Sequence, residues 1–307
     1  MEDSSAGVRL QGVMSAMCTP FSSGGAALDE PVLRDLVDVG IDAGLGGLVP
    51  GGSTGEFTSL TRPERERLLE VVVDQAAGRV PVVAHAGATT TAEAVELARH
   101  GEAAGAAAIL AVHPYYTPLS LGEVRGFYED VAGAVALPII VYNIPPFTGM
   151  NLPPDFLGIL AREVDGVAYV KDTSGDIAQV QALMGDHDDA LSVLNGWDAI
   201  GLPVLALGAT AMILGSAGVM PRQWVELFGH VEAGRMEEAR ALWGRIWPVT
   251  RFLLAERVPG SVKAGSALAG LPVGEPRAPH RPLAPDKVDE LRGLMATAGA
   301  LGVAAPA

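Results

Sequence analysis

A single cysteine, Cys18, stands among 307 residues, so the chain cannot form an internal disulfide. Positive charge is also scarce. Lysine and arginine number 21 against 36 aspartates and glutamates, a formal net charge of −15, which leaves no basic stripe for nucleic acid or for an anionic membrane surface. Long hydrophobic runs are missing as well: stretches such as Pro138 to Tyr142 are far too short to cross a bilayer, and turn residues follow them. The opening Met1-Glu2-Asp3-Ser4-Ser5 has neither the basic region nor the apolar run of a signal peptide, and with the lone cysteine it sets a cytoplasmic expectation. Lysine is the rarest cation of all, with three in the chain, Lys171, Lys263 and Lys287, the first of them alone in residues 1–262.

That first lysine closes a short apolar run, Val167-Ala168-Tyr169-Val170, which reads as a buried strand, and Asp172-Thr173-Ser174-Gly175-Asp176 follows it. Arginine is always charged, whereas a desolvated lysine gives up its proton readily and can attack a carbonyl to form a Schiff base. The plainer reading is a side chain that snorkels from the strand end or pairs with Asp172 or Asp176.

What is abundant is apolar character, 49% of residues, together with 38 glycines, enough for a large core. Eight short apolar runs alternate with longer stretches of helical period: Gly12–Cys18, Gly46–Val49, Val80–His85, Ala107–Val112, Pro138–Asn143, Gly166–Lys171, Leu191–Asn195 and Thr210–Leu214. Between them, among others, lie the amphipathic stretches Asp29–Ala43, Arg62–Ala77, Thr91–Ala104, Leu121–Ala136 and Asp176–Asp186, with helix-start signals at Thr61 ahead of Pro63-Glu64 and at Thr90 ahead of Glu93. Such repeated βαβ units force parallel pairing, and eight of them suit a closed (β/α)8 TIM barrel over residues 1–234 better than an open sheet. Residues 235–307 read as a C-terminal helical extension packed on the barrel: Met236–Arg257, Val262–Ala269 and Asp286–Thr297 are helical in pattern, as is Arg222–Glu232 before them. Leu271–Pro285 reads as a surface connection and Ala298–Ala307 as a frayed tail.

In a barrel of this kind chemistry gathers at the C-terminal strand ends. There the chain offers Thr19, Gly51-Gly52-Ser53-Thr54-Gly55-Glu56, His85, His113-Pro114-Tyr115-Tyr116, Tyr142-Asn143, Lys171, Asn195-Gly196-Trp197-Asp198 and Gly215-Ser216. The glycine-rich loop lets backbone amides cup an anion, but it matches neither the phosphate loop nor the dinucleotide fingerprint, and a tight strand-to-helix turn explains it equally well. Tyr142 could relay a proton at the barrel mouth or simply be a core aromatic. His85 and His113 end neighbouring strands; without a carboxylate array they read as core or supporting groups, and no metal site is expected.

Taken together, the chain resembles the N-acetylneuraminate lyase and dihydrodipicolinate synthase family of Schiff-base-forming barrel enzymes. The resemblance runs from Met17-Cys18-Thr19-Pro20-Phe21 to about Met220. It rests on four motifs in the same order: GGSTGE at Gly51 to Glu56, PYY at Pro114 to Tyr116, YNIP at Tyr142 to Pro145 and KDTSGD at Lys171 to Asp176. It implies that Lys171 attacks the keto carbon of pyruvate or another 2-oxo acid, with Tyr142 as general acid and base. Thr54 would link Tyr142 to a second tyrosine, Tyr116, which in the synthases enters from a neighbouring subunit. Ser53 and Thr54 would hold the pyruvyl carboxylate and Ile213 would supply a backbone contact beside it. The resemblance implies a homotetramer built as a dimer of dimers and no cofactor. The partners are then pyruvate and an aldehyde, not nucleic acid or membrane.

Two departures bear on substrate. Where the synthases carry an arginine that binds the aldehyde's carboxylate, this chain has Phe147, which replaces a bidentate clamp with an apolar ring. Thr173 resembles instead the threonine with which sialic acid lyases and 2-keto-3-deoxy sugar acid aldolases touch a substrate hydroxyl, and Gly196 and Asp198 match the segment with which the lyases hold the sugar chain. Ala199 stands where sialic acid lyases usually show a glutamate. The expected activity is therefore a pyruvate-dependent class I aldolase acting on a 4-hydroxy-2-oxo acid of the 2-keto-3-deoxy sugar acid type. A Schiff-base dehydratase, a dihydrodipicolinate synthase-like condensing enzyme, and a barrel that binds a 2-oxo acid without turnover are the rivals. Pyruvate with borohydride is expected to fix a covalent adduct on Lys171. Peptide mapping checks it, and an unchanged mass, or label on Lys263 or Lys287, would defeat the Schiff-base expectation.

Overall fold

A computed structural model describes residues 9–302; the reading of Met1 to Ser5 and the last five residues of the tail lie outside them. Eight parallel strands run in chain order: β1 (Gly12–Ala16), β2 (Gly47–Val49), β3 (Val83–His85), β4 (Ala108–Ala111), β5 (Ile139–Asn143), β6 (Val167–Asp172), β7 (Ser192–Asn195) and β8 (Ala211–Leu214). They pair in the order β2-β1-β8-β7-β6-β5-β4-β3, and the ends of that sheet meet through a parallel bridge between Leu48 and Val82, with the Leu48 N–H donating to the Pro81 carbonyl at 3.0 Å. The result is a (β/α)8 TIM barrel.

The helices between strands form where the patterning places an apolar face over the sheet. They are α1 (Glu30–Asp42), α2 (Arg62–Ala76), α3 (Thr91–Ala103), α4 (Leu121–Ala132), the single turn α5 (Pro145–Thr148), α6 (Pro154–Glu163), α7 (Ile177–Asp186) and α8 (Gly201–Ala206), and α9 (Pro221–Glu232) follows β8. Their starts are set by side chains that meet otherwise unpaired backbone N–H groups. Asp29 accepts from Val32, Thr90 accepts from Glu93, and at α2 and α4 the Glu64 and Glu123 carboxylates reach back to the N–H of Thr61 (2.9 Å) and Ser120 (2.7 Å) as capping boxes. The start signals at Thr61 and Thr90 thus act as expected.

Alternation along the strands sorts side chains into two cores. Ile139 and Val141 of β5 and Val170 of β6 join the shell between strands and helices, whereas Ile140 and Tyr142 point into the barrel with Met14, Leu110, Leu194 and Ile213. Three more helices follow, α10 (Met236–Ala255), α11 (Gly260–Leu268) and α12 (Pro285–Ala298). α10 buries Leu242, Ile246, Val249 and Leu253, and Trp243 meets Trp224 of α9 edge to face at 5.8 Å. No helix among the described residues is long and apolar enough to cross a membrane.

The Pro-rich connection is not confined to the surface. Leu271 and Val273 are buried, the Phe21 N–H donates to the Val273 carbonyl, and Arg277 reaches into the barrel side of the molecule. Its guanidinium grips the Glu64 carboxylate through two nitrogens at 2.6 and 2.9 Å and also donates to the carbonyls of Gly25 and Ser59. Arg277 holds the Glu64 carboxyl down at about 2 from its usual 4.5. A depressed carboxyl contributes stability above its unfolded value and loses it as pH falls through the folded one. Arg277→Ala is therefore expected to cost about 1–3 kcal/mol at pH 7 by urea denaturation, and the difference from the parent should shrink as pH is lowered from about 4.5 towards 2.

Candidate active site

Two adjacent strands set the centre of the site. β5 and β6 are in register with Tyr142 opposite Lys171 and Asn143 opposite Asp172, so alternation sends the first pair into the barrel and the second outward to the helices. Lys171 is 5% exposed, and its Nζ donates to the Tyr142 Oη at 3.2 Å while lying 4.3 Å from that ring's centroid. The outward pair is tied down. The Asp172 carboxylate accepts from Asn143 Nδ2 (2.8 Å) and Gln179 Nε2 (2.7 Å) on one oxygen and from the Ser174 N–H (3.1 Å) and Oγ (2.5 Å) on the other. Asn151 completes the cluster by bonding Asn143 and Gln179. Asp176, the other carboxylate open to Lys171 on sequence grounds, caps α7 through the N–H groups of Ala178 and Gln179. Neither acid pairs with Lys171, and the snorkelling alternative fails on burial.

Around the lysine lies a cavity of about 470 Å³ at the C-terminal mouth of the barrel. It is lined by Ser53, Thr54, Tyr142, Phe147, Lys171, Thr173, Gly196, Asp198 and Ile213, so every site residue expected from the sequence except Tyr116 meets in one space. Tyr116 stands 87% exposed on the loop after β4, away from this cavity. Within the described residues no hydrogen bond joins Thr54 to Tyr142; Thr54 Oγ1 instead lies close to Gly215, where an added Cβ would sit 3.2 Å from it.

Glycine at 196 is a spatial requirement. A Cβ there would fall 2.1 Å from Thr173 Oγ1 and 2.8 Å from Lys171 Cε. Thr173 Oγ1 itself is buried with no protein partner, a polar atom left for a ligand to satisfy. Asp198, 5% exposed, accepts at Oδ1 from the Ser216 N–H (2.8 Å) and, by a short contact, from the Ser216 hydroxyl, which takes the Trp224 Nε1–H at 2.9 Å. Burial raises the Asp198 carboxyl above its usual value, while Ser216 pulls it back down. Phe147 is 61% exposed at the rim.

His85 and His113 are both buried beside this region. Burial, reinforced by the positive charges of Arg65 and Lys171, holds His85 well below its ordinary value, and burial alone brings His113 down to about 4, so both rings are neutral near pH 7. His85 lies near the Gly51 backbone, but neither ring nitrogen makes a well-formed hydrogen bond. No group of three or more His, Cys, Asp or Glu among the described residues is arranged to hold a metal ion.

Sequence reasoning missed one wall of the site. Leu253, Leu254, Glu256, Arg257, Val258 and Val262, from the junction of α10 and α11, line the cavity, and His280 joins them from the Pro-rich connection. The available signal was the interruption Arg257-Val258-Pro259-Gly260 between two helical stretches.

With that geometry established, likeness to known proteins narrows the chemistry. Residues 9–298 match the dihydrodipicolinate synthetase family. The chain is 37% identical over 295 residues to the 4-hydroxy-tetrahydrodipicolinate synthase of Methanopyrus kandleri, which covers 96% of this chain and 98% of that protein. It is 38% identical over 285 residues to the protein of the same name from Citrifermentans bemidjiense, with 93% and 97% covered. Among solved structures, the chloride-inhibited dihydrodipicolinate synthase of Acinetobacter baumannii, complexed with pyruvate, superposes with a TM-score of 0.91 at 31% identity, covering 95% of this chain and all of the other.

The space beside Lys171 can be tested directly. Gly196→Ala is expected to cost about 1–3 kcal/mol in urea denaturation because the new methyl overpacks the lysine stem and Thr173. Gly185→Ala, in α7 with nothing within 4 Å of the added carbon, is expected to be neutral or to gain up to about 1 kcal/mol from helix propensity.

Proposed function

Because the chain belongs to the dihydrodipicolinate synthetase family, whose enzymes are pyruvate-dependent class I aldolases in type, we propose that it makes or breaks the C3–C4 bond of a 4-hydroxy-2-oxo acid through a Schiff base on Lys171. The observation that carries this reading is a buried lysine with no carboxylate partner, 3.2 Å from a tyrosine hydroxyl, inside a cavity lined by the Ser53-Thr54 loop. An amine that attacks a carbonyl must be uncharged.

In the cleavage direction the Lys171 amine adds to C2, and the carbonyl oxygen leaves as water, giving a protonated iminium. The C3–C4 bonding pair moves into that iminium while the C4 hydroxyl loses its proton and departs as an aldehyde. The pyruvate enamine that remains is protonated at C3, and water then releases pyruvate and the free amine. Tyr142, 3.2 Å from the amine, is the group in reach to relay the protons throughout: it takes the C4 hydroxyl proton as the bond breaks and returns one to C3 of the enamine. Ser53, Thr54 and the backbone at Ile213 take the pyruvyl carboxylate, and Thr173 Oγ1, unpartnered in the protein, takes a hydroxyl of the aldehyde half beside Gly196 and Asp198. Tyr116, exposed as it is, serves the proton relay of a neighbouring subunit in a tetramer. Residues 1–234 form the catalytic unit, and the annex from 235 packs on it and walls its mouth.

The relatives' names favour a second reading, condensation of pyruvate with aspartate semialdehyde. Phe147 removes the guanidinium expected near YNIP, and a partly desolvated carboxylate without a partner costs several kcal/mol. In that reading the cation would have to be Arg257, which lines the same cavity and enters no ion pair among the described residues. Steady-state comparison separates the two. Neutral hydroxyaldehydes are expected to exceed aspartate semialdehyde in kcat/KM by about tenfold or more, equivalent to about 1.4 kcal/mol, and Phe147→Arg should reverse the order. Efficient turnover of aspartate semialdehyde that disappears in Arg257→Ala would give the protein to the second reading.

A further inference from the structure

Besides Lys171 the protein buries a second lysine that the chemistry above does not use. The Lys263 side chain, on α11, is 2% exposed, and its Nζ sits 3.0 Å from Oε1 of Glu56, a carboxylate with no exposure at all. The contact is an ion pair at short range rather than a directed hydrogen bond. The ammonium also donates to the Glu275 carbonyl at 3.0 Å and lies 4.0 Å from the centroid of the Phe21 ring. The other oxygen of Glu56 accepts the Arg277 N–H at 2.9 Å. Neither Glu56 nor Lys263 reaches the cavity.

Buried ion pairs are poor stabilisers, since desolvation consumes most of the attraction and apolar replacements often do as well. A pair kept in such a place calls for another use, and its position supplies one. Glu56 ends the Gly51-to-Glu56 loop in a left-handed conformation, φ +59°, that a residue with a side chain rarely adopts. Gly55, just before it, must be glycine, because a Cβ would lie 2.9 Å from the Gly51 nitrogen, and its carbonyl is held by the Thr19 hydroxyl at 2.6 Å. Ser53 and Thr54 lie between β2 and this clamped end, and both face Lys171 across the cavity. On the other side of the pair, Val262 immediately precedes Lys263 and itself lines the cavity.

We propose that Glu56 and Lys263 are a positioning pair, which pins the end of the glycine-rich loop to α11 so that Ser53 and Thr54 stand at the right distance from Lys171 to hold a 2-oxo acid carboxylate. The inference rests on the reading that this loop binds that carboxylate. It predicts a defect in pyruvate binding out of proportion to any defect in turnover, because the pair touches no reacting atom.

The test is borohydride trapping of the intact protein across a pyruvate titration, with steady-state kinetics on the same samples. Glu56→Gln and the double variant Glu56→Gln with Lys263→Met are compared with the parent. The double variant removes both charges, so it remains a fair test if a lone buried charge prevents folding. In folded protein, judged by circular dichroism, the pyruvate concentration for half-maximal trapping and the KM for pyruvate are expected to rise together by about tenfold or more, with kcat changed less than about threefold, the pattern of lost binding rather than lost chemistry. Lys287→Met, on the surface, should leave both unchanged. A folded double variant that traps pyruvate at the parental concentration would overturn the proposal and leave the reading of the site intact. Failure of the parent to trap pyruvate at all would overturn both.

Discussion

The hydrogen bonds that surround the Asp172 carboxylate decide what Lys171 can be. An aspartate one residue from a buried lysine would ordinarily neutralise it. Here alternation along β6 turns the acid to the helix side, where Asn143, Gln179 and Ser174 fill its acceptor sites, and the lysine is left facing a tyrosine hydroxyl. The same bonds join β5, β6 and α7 into one rigid corner, so the in-register placement of Tyr142 and Lys171 does not depend on the loops at the mouth. A site built on paired strands holds its geometry more closely than one built on loops.

Electrostatics elsewhere follow from that arrangement. In a chain of net charge −15, the cavity carries a buried amine, a neutral pair of histidines close by, and an Asp198 whose charge is already shared with Ser216. Two layers of apolar side chains, one inside the barrel and one beneath the helices, separate that site from the acidic surface.

Much of this was legible in the residues because the strands are short apolar runs and the longer helices have an amphipathic period. All eight strands fall within or close to their expected spans, and β6 simply continues one residue further, to Asp172. Boundaries were less visible where tertiary packing overrides local pattern: β1 stops at Ala16, and α6 hides among Pro145, Pro146, Pro153 and Pro154, which read locally as breakers although Pro154 merely opens the helix. The Pro-rich connection looked superficial for the same reason, since nothing local announces that Arg277 will find Glu64 some two hundred residues away. Site residues at strand ends could be read from the barrel rule. The wall supplied by Arg257 and His280 could not, because contacts between distant segments leave no periodic trace.

That wall separates two tasks that many enzymes entangle. The amine, the tyrosine and the glycine-rich loop belong to the strand ends, while Leu253, Leu254, Glu256, Arg257, Val258, Val262 and His280 close the space from segments that carry none of the proposed chemistry. Changes along the α10–α11 junction can therefore remodel the outer chamber while the strand register stays fixed. Diversification of such a barrel need not retune its reactive centre, because a short exchangeable border, joined after the eighth strand, can be rewritten to admit a new partner molecule.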